Sequence, residues 1–176
     1  MGKAILLTGA PGSGKTTLVR RLLADLTRPV DGFFTQEIRE RDARKGFEII
    51  TLHGGRGVLA HIDIRSRHRI SKYGVDLTVL DTLGASAIER AIRSGWLVVI
   101  DEIGPMEILS ERFRDSVVQA LESNAPVLGT IVQRSTPFTD GVKARPEVTV
   151  VQVSRDNRDA LVRDLAPRLR SLLDAS

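Results

Sequence analysis

Apolar residues recur along this chain in two periods, and the alternation between them lays out its elements. Ala4-Ile5-Leu6-Leu7 is a continuous apolar run of strand length, the pattern of a parallel strand buried on both faces. Leu18, Val19, Leu22, Leu23 and Leu26 then recur at helical spacing. After a turn at Pro29, residues 32–38 read as extended; a charged turn over residues 39–46 leads into a second extended run, 47–52, which predicts a hairpin. A glycine-rich loop at 53–57 precedes a third strand at 58–62. Residues 63–72 are polar and predict irregular backbone before a short extended piece at 73–75. Leu83, Ala87, Ile88, Ala91 and Ile92 mark a helix closed by Gly95. Trp96-Leu97-Val98-Val99-Ile100 is a second continuous apolar run, and it ends in Asp101. Ser110 is placed to cap a helix with Phe113, Val117, Val118 and Leu121 inward, and residues 127–132 return as a strand. Residues 133–145, with Pro137 and Gly141, read as a loop, and residues 148–153 as the last strand. Asn157 is placed to cap a final helix whose Leu161, Val162, Leu165, Leu169 and Leu172 point inward, with Pro167 kinking or restarting it.

Strands alternating with helices in both halves predict an α/β fold: a mostly parallel central sheet flanked by helices, with an antiparallel hairpin insertion. A length of 176 residues, 41% of them hydrophobic, and no internal repeat predict one domain over 1–176. Cysteine is absent, which excludes disulfides and thiolate metal sites. No apolar run approaches the roughly 18 residues of a membrane span. The N-terminus lacks a signal-peptide pattern, so a cytoplasmic protein without a membrane partner is expected. No feature sets an oligomeric state.

The net charge of +4 has a location. Residues 36–72 hold nine of the 26 basic residues and five of the 22 acidic ones, which leaves 17 of each sign elsewhere. The signs in this segment are interspersed rather than blocked, which favours a solvated face or attraction of a phosphorylated substrate over nucleic-acid binding.

The candidate chemistry begins directly after the first strand. Gly9-Ala10-Pro11-Gly12-Ser13-Gly14-Lys15-Thr16-Thr17 fits G-x-x-x-x-G-K-[ST], a loop whose backbone N–H groups wrap the phosphates of a nucleotide. Glycine lets the main chain approach a phosphate where a Cβ would block it. Lys15 is placed to reach the β and γ oxygens, Thr16 to ligate Mg²⁺, and the helix that follows presents its positive end to the anion. The second segment is Asp101-Glu102-Ile103-Gly104. An apolar strand ending in an acid brings Asp101 to the magnesium ion, beside Thr16. Glu102, turned elsewhere by strand alternation, is the candidate base for water, and Lys15 and Glu102 are the catalytic candidates. Four arginines, Arg134, Arg145, Arg155 and Arg158, compete for the role of offsetting phosphoryl charge. Thr130 has two readings, a hydrogen bond to the γ-phosphate from its strand end or, favoured, an ordinary strand threonine, and His53, His61 and His68 lack the surroundings of a transition-metal site.

Taken in order, the phosphate loop, Gly32-Phe33-Phe34-Thr35 with Glu37 and Arg39, Gly46-Phe47, Lys72-Tyr73-Gly74-Val75-Asp76 and Asp101-Glu102-Ile103-Gly104-Pro105-Met106-Glu107 resemble the THEP-type nucleoside triphosphatases, also called cancer-related nucleoside triphosphatases. The resemblance spans nearly the whole chain. It implies a P-loop NTPase that uses Mg²⁺ to hydrolyse nucleoside triphosphates to diphosphates with little preference among bases. It places Gly9 to Thr16 on the phosphates and the Asp101-Glu102 region in the second nucleotide-contacting segment. Pro105 departs from the family pattern, where lysine is frequent, so no cationic role carries over to it.

Two other functions fit the residues. A P-loop kinase would pass the γ-phosphoryl to a small molecule or an RNA end, using residues 133–145 as a lid. A regulatory nucleotide-binding module with nucleic-acid contact would use the D-x-x-G of residues 101–104. Against the second, no N-K-x-D segment reads a guanine, since Ala125 follows Asn124 and Arg158 follows Asn157.

Overall fold

A computed structural model describes residues 2–175. Its centre is a nine-stranded sheet in the order β5-β6-β4-β3-β2-β7-β8-β1-β9. The strands are β1 (Ala4–Thr8), β2 (Val30–Glu40), β3 (Ala43–Thr51), β4 (Arg56–His61), β5 (Arg69–Ile70), β6 (Tyr73–Val75), β7 (Leu97–Ile103), β8 (Val127–Ile131) and β9 (Val148–Gln152). From β2 to β9 all neighbours are parallel; β3, β4, β6 and β5 extend the sheet antiparallel from β2. Strand β2 therefore belongs to both halves. It is the edge of the parallel sheet and the first arm of the hairpin.

The helices are α1 (Lys15–Ala24), α2 (Leu77–Val79), α3 (Ser86–Ser94), α4 (Glu111–Glu122), α5 (Pro137–Lys143) and α6 (Arg158–Asp174). On one face, Leu18, Val19 and Leu22 of α1 and Leu165 and Leu169 of α6 cover Ile5, Leu7, Leu97 and Val99. On the other, α3 and α4 bring Ile88, Ala91, Phe113 and Val117 onto Leu6, Phe33, Val98 and Ile100. Successive residues of β1 and β7 thus enter opposite cores, which is why both strands read as unbroken apolar runs.

Several expected elements differ in extent. The hairpin turn is only Arg41 and Asp42, both with positive φ (44° and 66°), so the strands consume most of the charged stretch. That conformation fits a two-residue hairpin turn, and an aspartate tolerates it. The helix expected around Leu83 begins earlier, because the Asp76 side chain accepts hydrogen bonds from the N–H groups of Thr78 and Val79. A π turn over Leu80–Ala85 joins α2 to α3. Residues 133–145 are not simply a loop: Thr136 and Thr139 form a reciprocal cap and Pro137 opens α5. Residues 69–70 form a short strand within the stretch expected to be irregular. Trp96 lies just before β7, half-buried against the His53 ring at 6.0 Å. Val118 is only partly covered, with Ser116 and Ala120 completing the buried face of α4. The Asn157 side chain accepts from the Ser154 N–H rather than from α6, and its carbonyl receives the Leu161 N–H. Helix α6 runs through Pro167 without restarting, with that proline on the exposed side.

Candidate active site

The carboxyl ends of β1, β7 and β8 meet at the loop between β1 and α1, the position where open α/β sheets hold ligands. Gly12 and Gly14 have φ of +75° and +95°, a region costly for other residues. A Cβ on Gly9 would stand 2.3 Å from the Val153 carbonyl oxygen. The loop is fastened at both ends: Val153 donates its N–H to the Thr8 carbonyl at 2.7 Å, and Leu18 donates to Gly14 at 2.9 Å. The first N–H groups of α1 have no intrahelical acceptor and so remain available to an anion. Lys15 curls over the loop, its Nζ donating to the Gly9 and Ala10 carbonyls at 3.0 and 3.4 Å.

Asp101 lies beneath, 1% exposed. Thr16 donates its hydroxyl to Asp101 Oδ2 at 2.8 Å, and Thr130 donates to Oδ1 at 2.7 Å. Burial pushes the Asp101 carboxyl above its ordinary range, against the pull of these two hydroxyls and of the positive charges of Lys15 and Arg20. Two hard oxygen donors, Thr16 and Asp101, thus stand together at the start of α1, and Asp101 has no ion-pair partner among the described residues. That donor set suits a small divalent cation.

The Glu102 carboxyl is also raised, by burial first and by the neighbouring Asp101, while Lys15 opposes the shift. It shares with Asp101 a cleft of about 320 Å³ lined also by Pro11, Gly12, Lys15 and Thr16. The other expected residues lie around this cleft. Ala10 and Thr17 are exposed beside it, Ser13 is buried at the base of the loop, and Gly104 is buried behind Glu102. Ile103 points its fully buried side chain into the core with Phe113 and Val117.

The opposite wall comes from the hairpin. Thr35, Gln36 and Glu37 of β2 and Arg44 and Phe47 of β3 line the cleft, which sequence reasoning missed because only the pairing of β2 with β7 carries the hairpin there. Arg44 is the nearest signal, as one cation of the basic segment. Glu107 was also missed. It is 5% exposed; its Oε2 and that of Glu102 lie 3.1 and 3.3 Å from the point where a Cβ on Gly104 would stand. Burial, then the Glu102 charge, push its carboxyl up to about 8. Its signal was an acid set among Ile103, Met106, Ile108 and Leu109. Of the candidate arginines, Arg145 is tied to Glu122 and Glu147, each at 3.1 Å. Arg155 and Arg158 flank the loop, 4.0 and 3.2 Å from the points where a Cβ on Gly12 and Gly14 would stand.

A family model described as NTPase matches residues 4–166. The nucleoside-triphosphatase THEP1 of Thermotoga maritima is 41% identical over 166 residues, covering 94% of this chain and 95% of that protein. The human cancer-related nucleoside-triphosphatase is 35% identical over 187 residues, covering 97% and 98%. The crystal structure of THEP1 from Aquifex aeolicus is similar with a TM-score of 0.86 at 32% identity, covering 94% of this chain and 98% of that one.

Proposed function

The chain belongs to the THEP1-type nucleoside-triphosphatase family, and from that premise we propose that it hydrolyses nucleoside triphosphates to diphosphates and phosphate, with broad tolerance of the base and with Mg²⁺ as cofactor. The observation that carries the reading is the contact of Thr16 with Asp101 directly beneath Lys15, with Glu102 in the same cleft. Backbone N–H groups of the loop that have no acceptor within it hold the phosphates; Pro11 has none to offer and Ser13 donates to the Ala10 carbonyl. Lys15 exchanges the carbonyls of Gly9 and Ala10 for phosphate oxygens. Thr16 and Asp101 are the groups that would hold the cation, which when bound neutralises charge on the β and γ oxygens. Glu102 orients a water and accepts its proton as the water oxygen bonds to the γ-phosphorus and the bond to the β–γ bridging oxygen breaks. Its burial raises its affinity for that proton. Arg155 and Arg158 stand where charge on the phosphate chain can be offset. Broad base tolerance is supported by the lack of an N-K-x-D segment.

The test is phosphate release from ATP, GTP, CTP and UTP with and without Mg²⁺. Comparable Mg²⁺-dependent rates on all four are expected. Release from one base alone, or only after an acceptor is added, contradicts the reading.

A further inference from the structure

The cleft does not end at the terminal phosphate. Beyond Arg44 and Phe47, which line both spaces, lies a second pocket of about 480 Å³ between the hairpin, the turn from β5 to β6, and Met106. We propose that this pocket is a second ligand site that binds a nucleoside monophosphate beyond the γ-phosphate. The inference rests on the reading of the first cleft as a triphosphate site.

Charge and ring chemistry define the ligand. Arg39, Arg44 and Lys72 line the pocket and no acid does. Arg39 and Arg44 pair with a single carboxylate, Glu37, at 2.6 and 2.8 Å. Lys72 has no carboxylate partner among the described residues. Two positive charges are therefore left over, enough to attract a phosphate dianion. Arg44 is held in place: its Nε donates to the Tyr73 hydroxyl at 3.1 Å and its Nη1 to Glu37, so little of its freedom is lost on binding an anion. The floor is aromatic. Phe47 and Tyr73 meet edge to face at 5.4 Å; Arg44 lies 5.2 Å from the Phe47 ring centroid and Lys72 5.5 Å from that of Tyr73. Tyr73 is only 4% exposed, so Phe47 is the ring that a flat ligand ring can meet, while the cations beside it take the anion of the same molecule. The volume lies within the range of small-molecule sites.

The sheet order sets the direction. Strands β2 and β3 lie on one side of β7, while β1 and β9 lie on the other. Lys15, Thr16 and Asp101 mark the β and γ positions of the triphosphate. Arg155 and Arg158, which follow β9, lie against Gly12 and Gly14 on the side away from the hairpin, and a nucleotide whose phosphate chain they help to hold directs its nucleoside to that side. The second pocket lies on the hairpin side, so one nucleotide does not fill both.

The experiment is calorimetric titration of AMP, adenosine and ribose 5-phosphate into protein saturated with Mg²⁺ and the non-hydrolysable analogue AMP-PNP. AMP is expected to bind at least about tenfold more tightly than either fragment. Lys72→Glu should weaken AMP by about tenfold or more, and Lys72→Arg should restore it, while AMP-PNP affinity stays the same in both variants. Lys72 is exposed, so folding is not at stake, and circular dichroism checks it. Displacement of AMP-PNP by AMP, equal affinity for AMP and a fragment, or indifference of AMP to Lys72→Glu overturns the second site alone. Failure of AMP-PNP to bind the unaltered protein overturns the triphosphate reading and this inference with it.

Discussion

The two walls of the cleft are built on different physics. The wall of β1, β7 and β8 is anchored in the core: Leu6, Val98, Ile100 and Thr130 are fully buried, and its polar groups meet through short, shielded hydrogen bonds. The hairpin wall is also rooted in the core, through Phe33 and Ile49, but the groups it turns toward the cleft sit at the surface, where Glu37 pairs with Arg39 and Arg44. Buried contacts fix geometry to fractions of an ångström, whereas exposed ion pairs add little stability and are screened by salt. A rigid wall suits the groups that must hold phosphates and a reacting water. A solvated, cationic wall suits the capture and release of ligands.

Substitutions on the two walls sharpen that contrast. The largest effect belongs to Lys15→Ala, which removes the one side-chain cation of the phosphate loop; phosphate release should fall by about a thousandfold in steady-state assays. Arg44→Ala on the facing wall should lower kcat/KM by about tenfold, with a steeper salt dependence in the parent than in the variant. An equal loss from both would erase the distinction between the walls.

Behind the rigid wall, Glu107 makes a pH signature. Its native carboxyl is raised to about 8 from the ordinary 4.5, so the folded protein binds that proton more tightly than the unfolded chain does. Its contribution is fully present below about pH 4.5 and is lost as pH rises through about 8. Glu107→Gln should remove this loss, on the order of a few kcal/mol, as read by urea unfolding at pH 5 and pH 9. A parent and variant that decline in parallel would contradict it. The smallest effect is expected on the hairpin surface, where Arg56→Ala should move Tm by about one degree or less, because its pair with Glu48 is exposed.

The same contrast explains what could be read from the chain. The phosphate loop and the Asp101 strand end were legible because each depends on residues adjacent in sequence: a glycine spacing, an apolar run, an acid at its end. The α/β class followed from runs such as 4–7 and 97–100, whose burial on both faces suppresses alternation. Thr130 was read as an ordinary strand threonine, since only the parallel register of β8 beside β7 brings it to Asp101. The hairpin wall was hidden for a similar reason. Nothing local in Arg44 or Phe47 states that β2 will pair with β7 and carry them over the loop. Helix α5 was read as loop because Pro137 and Gly141 look like breakers; the Thr136–Thr139 cap turns the proline into a helix start.

The most direct test of the account is Glu102→Gln, a change that keeps the shape of the side chain and removes its basicity. Calorimetry should give AMP-PNP affinity within about threefold of the parent, while single-turnover phosphate release falls by about a hundredfold to ten-thousandfold. Release that persists within about threefold of the parent rate would contradict the assignment of Glu102 as the group that takes the proton from water.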